Sequence, residues 1–171
     1  MLFRSLKQKN RKCSGKKNGC MYSKDELRKL KTEFWESFAA YCEVQPYLRR
    51  RRKMWVLYNT KVKGVELKFD ATRNGAFVIL EVNHKQEDQR LEMYEKLTWY
   101  KEYLEKDFPE GLIWDMCFVR ETGQQVARIY VEKGGIDFHR REDWGEFFSF
   151  MARQMYLLER NFMKIAEYLR E

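Results

Sequence analysis

The stretch LKFDATRNGAFVILEVNHK, residues 67–85, alternates apolar and polar side chains on either side of an Asn74-Gly75 pair. Period two marks half-buried strands, and Asn-Gly is a favoured two-residue connection between them. A type I′ turn at Asn74-Gly75 pairs Arg73 with Ala76, Asp70 with Ile79 and Lys68 with Glu81. Val65, Leu67 and Phe69 then share a core face with Val78, Leu80 and Val82. Glu66, Lys68 and Asp70 share the other face with Ile79, Glu81 and Asn83. In this register Asp70 is a diagonal neighbour of Glu81, with backbones about 7–8 Å apart. Two carboxylates at that separation reach one divalent ion, Mg²⁺ or Mn²⁺, which favours hard oxygen ligands. The same pattern also fits an ordinary polar outer face, with Lys68 opposite Glu81 as a cross-strand ion pair.

Outward from the hairpin, Met54 to Asn59 reads as a preceding strand joined through TKVKG, giving a three-stranded antiparallel meander. Before it, Ser23 and Glu26 form a capping-box pattern. They head a helix whose apolar face is Leu27, Leu30, Phe34, Phe38 and Tyr41, and Pro46 sets its limit. After the meander, KQEDQRLEMYEKLTWYKEYLEKDF reads as one helix stopped by Pro109 and Gly111. Strands at Leu112 to Val119 and Val126 to Glu132 follow, joined through RETGQQ. In the last helix Trp144, Phe148, Met151, Met155, Leu158, Phe162, Ile165 and Leu169 recur at alternating spacings of four and three. That seam suits either a buried terminal helix or a homodimer zipper; Phe147 and Tyr156 widen the stripe and favour burial.

At 171 residues, with 44% hydrophobic and 16% aromatic content, the chain suits one domain that buries about 70% of its unfolded surface. Residues 1–20 read as a basic flexible tail and 21–171 as the domain, with Met21 a natural start for it. No apolar run approaches the ~20 residues of a membrane span, and the N-terminus lacks the apolar core of a signal peptide. The expected location is the cytoplasm. Cys13, Cys20, Cys42 and Cys117 are too few and scattered for a disulfide framework and read as reduced thiols. A zinc site would need them to meet His84 or His139 over long range.

Charge is concentrated in two segments. The tail carries Arg4, Lys7, Lys9, Arg11, Lys12, Lys16 and Lys17 without an acid, which is +7 of the net +8. Arg49, Arg50, Arg51, Arg52 and Lys53 add five consecutive cations, so the remainder of the chain is slightly acidic. Such a run, flanked by Tyr47 and Trp55, suits phosphates with a stacked base; a solvated loop paired with the acidic helices is the alternative. The tail's Leu2, Phe3 and Leu6 are too few to anchor a membrane surface. Within HRREDW, Asp143 is placed to favour the positive end of the last helix. A catalytic His84 or His139 has no partner visible in the sequence.

The order helix, three-stranded meander, helix, strand resembles the core of the PD-(D/E)XK restriction-endonuclease-like superfamily. That resemblance implies an α/β fold with an αβββαβ core, a mixed five-stranded sheet between helices, an extra strand and a long C-terminal helix. It implies metal-binding acids at Asp70 and Glu81 and a lysine two residues beyond the glutamate, where this chain has Asn83. An amide neither carries the charge nor exchanges the proton. Lys85, of matching strand parity, and Lys68, across from Glu81, are the substitutes at hand. The segments EFWESF, YNTKVKGVELKFDA, ARIYVE and REDW, with the strand ending in Glu81, make residues 22–170 resemble domain-of-unknown-function family 4268, an uncharacterised bacterial group.

Three functions therefore stand as expectations. The first is nucleic-acid binding on a degenerate nuclease-like fold, without effective catalysis. The second is an active Mg²⁺- or Mn²⁺-dependent endonuclease. The third is a protein-interaction or homodimer module built on the terminal helix.

Overall fold

A computed structural model describes residues 22–49 and 60–170. The tail, with Cys13 and Cys20, and the expected strand Met54 to Asn59 lie outside the described residues, as do Arg50, Arg51, Arg52 and Lys53. Helix α1 spans Lys24–Glu43. Its capping box is in place: Ser23 Oγ accepts from the Glu26 amide at 3.2 Å, and Glu26 accepts from the Ser23 amide at 2.8 Å. The helix ends before a short 3-10 turn at Pro46–Leu48, as the proline requires.

Strands β1 (Val65–Ala71) and β2 (Gly75–Val82) form the hairpin, but in a different register. Asp70 faces Phe77, Lys68 faces Ile79, and Glu81 faces Glu66. Arg73 and Asn74 are the central residues of the turn. The Thr72 amide donates to the Gly75 carbonyl at 2.9 Å, and Thr72 Oγ1 accepts from the amides of Asn74 and Gly75. A type I′ turn needs positive φ at both central residues, and neither Asn74 nor Gly75 has it. Gly75 serves the sheet instead, because a Cβ there would collide with the Lys133 carbonyl of the neighbouring strand. The slip is two residues, an even number, so each side chain keeps its expected face.

The predicted second helix is broken into α2 (Glu87–Trp99) and α3 (Lys101–Glu105) at Tyr100, whose φ of −105° and ψ of 17° interrupt the helical path. Gly111, at φ 74°, then turns the chain into β3 (Ile113–Val119), which a tight turn at Gly123 joins to β4 (Gln125–Gly134). The described sheet has four strands in the order β1-β2-β4-β3, and every pair is antiparallel. Because β4 rather than β3 lies beside β2, the β3–β4 hairpin leaves no parallel neighbours. Among the described residues the sheet is thus four-stranded and antiparallel; the expected mixed five-stranded sheet, whose first strand Met54 to Asn59 lies outside them, is not shown.

Helix α4 (Trp144–Ile165) closes the domain. Its seam residues, with Leu169 beyond its end, are all buried in the chain's own core. A homodimer would have to use another surface of that helix. Asp143 is its N-cap residue but makes no side-chain cap bond; its Oδ2 accepts from the Asp137 amide at 2.8 Å and from Arg140 at 2.7 Å. The four α-helices among the described residues pack into one apolar cluster with Val78, Leu80, Val82 and Ile129. The expected sandwich is thereby reduced to two layers among the described residues: helices on one face of the sheet, a polar row on the other.

Candidate functional site

Across the face away from the helices, one register row runs Glu66 on β1, Glu81 on β2, Arg128 on β4 and Asp115 on β3. Glu81 is fully buried there, with 0% exposure. Its Oε1 accepts from Lys68 Nζ at 2.7 Å and from an Arg120 guanidinium N–H, and its Oε2 accepts from Arg128 Nε at 3.0 Å. Lys68 also reaches Glu66 at 3.3 Å, bridging two carboxylates that face each other across the ladder. Arg128 lies over the Phe118 ring, 3.7 Å from its centroid, so cation–π attraction holds the guanidinium in place. Burial acts to raise the Glu81 pKa, but hydrogen bonds from Arg120 and Lys68 outweigh it and keep the carboxyl below its ordinary value.

Asp70 belongs to a different neighbourhood. It faces Phe77, four residues along the ladder from Glu81's partner position, an offset of about 13 Å along the strands. The expected diagonal contact of the two acids is therefore absent. Desolvation raises the Asp70 pKa, with Arg128 pulling the other way. Tyr130, on the same face, is also raised, first by desolvation and then by Glu132 and Asp115.

These positions do not suit the metal that the nuclease resemblance implies. Both oxygens of Glu81 are committed to cations, Asp70 is too distant to share an ion with it, and among the described residues no group of three His, Cys, Asp or Glu side chains is arranged to hold a metal. Asn83 follows β2, where its amide donates to the Gly64 carbonyl at 2.8 Å. Lys85 is exposed in the turn before α2. Of the two proposed substitutes only Lys68 reaches Glu81, and it does so as one of three neutralising cations.

The other singled-out residues separate. Arg49 is exposed at the end of the 3-10 turn. Tyr47 packs against Tyr156 and Arg153, which occupies the ring expected to stack on a base. The Tyr22 hydroxyl donates to the His139 carbonyl at 3.2 Å, and the His139 ring meets Tyr22 edge-on. The His84 ring lies against Gly64, where a Cβ would collide with it. Among the described residues neither imidazole is hydrogen-bonded to a carboxylate or a nucleophile. Neither Cys42 nor Cys117 is in a disulfide, and among the described residues no helix is long and apolar enough to cross a membrane.

Arg120 and Arg128 were not anticipated as Glu81's partners. The signal for Arg128 lies in ARIYVE, where period two puts Arg128, Tyr130 and Glu132 on the face opposite Ile129. Arg120 sits outside the strands, and its reach to Glu81 depends on the β3–β4 turn.

The family described as Domain of unknown function (DUF4268) matches residues 30–166. The chain belongs to this DUF4268 family. The match takes in the polar row and the arginine run and leaves out the basic tail. No curated protein and no solved structure matches the chain.

Proposed function

We propose that this DUF4268 chain is a nucleic-acid-binding domain that does not cleave its ligand. The observation that carries binding is the placement of charge. Arg49 is exposed immediately after Leu48, which is buried in the core, so the five-cation run from Arg49 to Lys53 begins where the chain turns from core to surface. A cluster of that density neutralises backbone phosphates and releases their counterions. The absence of cleavage is supported by the cation-saturated carboxylate of Glu81 and by Asn83 at the lysine position. From the PD-(D/E)XK resemblance we retain the ligand class, a phosphodiester chain, and not the metal chemistry or the five-stranded mixed core. A cytoplasmic setting belongs to the same proposal.

Titrating labelled duplex DNA at increasing salt tests the reading. The expected log–log slope is near 0.9 per phosphate contact, and replacing Arg49 to Arg52 with serine flattens it. An unchanged slope removes the run from the interface, and a wild-type chain that binds neither DNA nor RNA sinks the reading.

A further inference from the structure

The junction of α2, α3 and the chain end after α4 exposes three large aromatic side chains: Trp99 at 69%, Tyr103 at 59% and Tyr168 at 61%. Tyr100 stacks on Tyr168, with ring centroids 6.0 Å apart and an interplanar angle of 22°, and Tyr103 lies 6.4 Å from Tyr100. Rings this exposed add little to the core. Large aromatic side chains left exposed together at one junction mark a surface that meets something else.

Beside the patch is a cleft lined by Lys61, Lys63, His84, Glu92, Lys96 and Arg170, four cations against one carboxylate. Lys96 is one helical turn before Tyr100, and Arg170 is two residues after Tyr168, so patch and cleft adjoin. The loop that presents Lys61 and Lys63 is held in shape. Thr60 is buried, and its hydroxyl bonds the Val65 carbonyl at 2.7 Å and the Val62 carbonyl at 3.2 Å. Lys61 adopts a left-handed φ of 58°, and Gly64 at φ 73° makes room for the His84 ring. Arg170 donates to the Thr60 carbonyl at 3.5 Å, linking the chain end to this loop.

We infer that this surface binds single-stranded nucleic acid, with phosphates in the cationic cleft and bases on Trp99, Tyr103 and Tyr168. The inference rests on the proposed function and adds a second contact region, distinct from the arginine run. Cations that follow a backbone beside rings that accept base faces are the two elements of single-strand binding. A duplex hides its base faces in the stack and offers the rings nothing. Glu102, exposed between Trp99 and Tyr103 in sequence, keeps phosphates away from the rings and assigns them to the cleft. Glu92 pairs with Lys96 at 3.3 Å, and Lys63 is exposed on the loop that lines the cleft.

The test uses the full chain and a labelled oligothymidylate beside a duplex of equal length. Trp99→Ala weakens single-strand binding about tenfold, since stacking contributes about 1–3 kcal/mol per base, and leaves duplex binding unchanged. A Lys63→Ser variant lowers the single-strand salt slope by about 0.7, the value for one lost phosphate contact. Both variants alter exposed positions, and circular dichroism checks that they fold. If the wild type binds and both variants match it, the surface assignment fails while the proposed function stands. If the wild type binds neither oligonucleotide, both fail. If Trp99→Ala changes self-association but not oligonucleotide binding, the patch is a protein interface and the inference is overturned.

Discussion

Glu81 and Asp70 lie on one hairpin face, yet their surroundings give them opposite roles in stability. Glu81 ionises more readily in the folded chain than in the unfolded one, because Arg120 and Lys68 overcome the effect of its burial. Its contribution is fully present above the unfolded value of about 4.3 and is lost as pH falls through the depressed folded value. Glu81→Gln leaves three cations around a neutral amide. It should cost about 3 kcal/mol at neutral pH and flatten the acid limb of a urea-denaturation series. Asp70 is raised by desolvation, so its contribution is present below the unfolded value near 3.9 and is lost as pH rises through the folded one. Asp70→Asn should therefore stabilise the chain at neutral pH, by less than about 1 kcal/mol because the residue is exposed. An acid limb that Glu81→Gln leaves as in the wild type, or an Asp70→Asn variant less stable than the wild type at neutral pH, would contradict these assignments.

At the scale of elements, the hairpin register separates what the sequence makes legible from what it hides. Period two assigns every side chain of β1 and β2 to its observed face, and the capping box and α4 seam are read directly from spacing. The pairing itself is not legible, because Asn-Gly signals a type I′ turn while Gly75 is needed for the approach of Lys133, a contact from a strand over fifty residues away. The break at Tyr100 is hidden for a similar reason: the apolar stripe continues through it, and tertiary packing against α4 takes it up. Gly75→Ala should destabilise by about 2 kcal/mol or more, since its Cβ meets backbone, whereas Asn74→Ala should cost under about 0.5 kcal/mol at a turn without positive φ. Thermal denaturation of the two variants checks the register; a costly Asn74→Ala with a mild Gly75→Ala would restore the type I′ turn.

Over the whole molecule, the helices gather on one side of the sheet and the formal positive charge collects in a few places. The candidate acids were legible as residue types and faces. Their separation was not, because a two-residue slip moves Asp70 along the ladder without changing any face. Arg120 and Arg128 then convert the remaining acid into a structural ion cluster. In this DUF4268 domain the two acids do not converge among the described residues, and the function we propose for it is to hold a phosphodiester chain without cutting it. The most direct measurement incubates the chain with a labelled oligonucleotide and Mn²⁺, recording anisotropy and fragment length on the same samples. The account predicts a salt-sensitive rise in anisotropy with the oligonucleotide left at full length. Shortening that disappears in an Asp70→Ala/Glu81→Ala variant would contradict it.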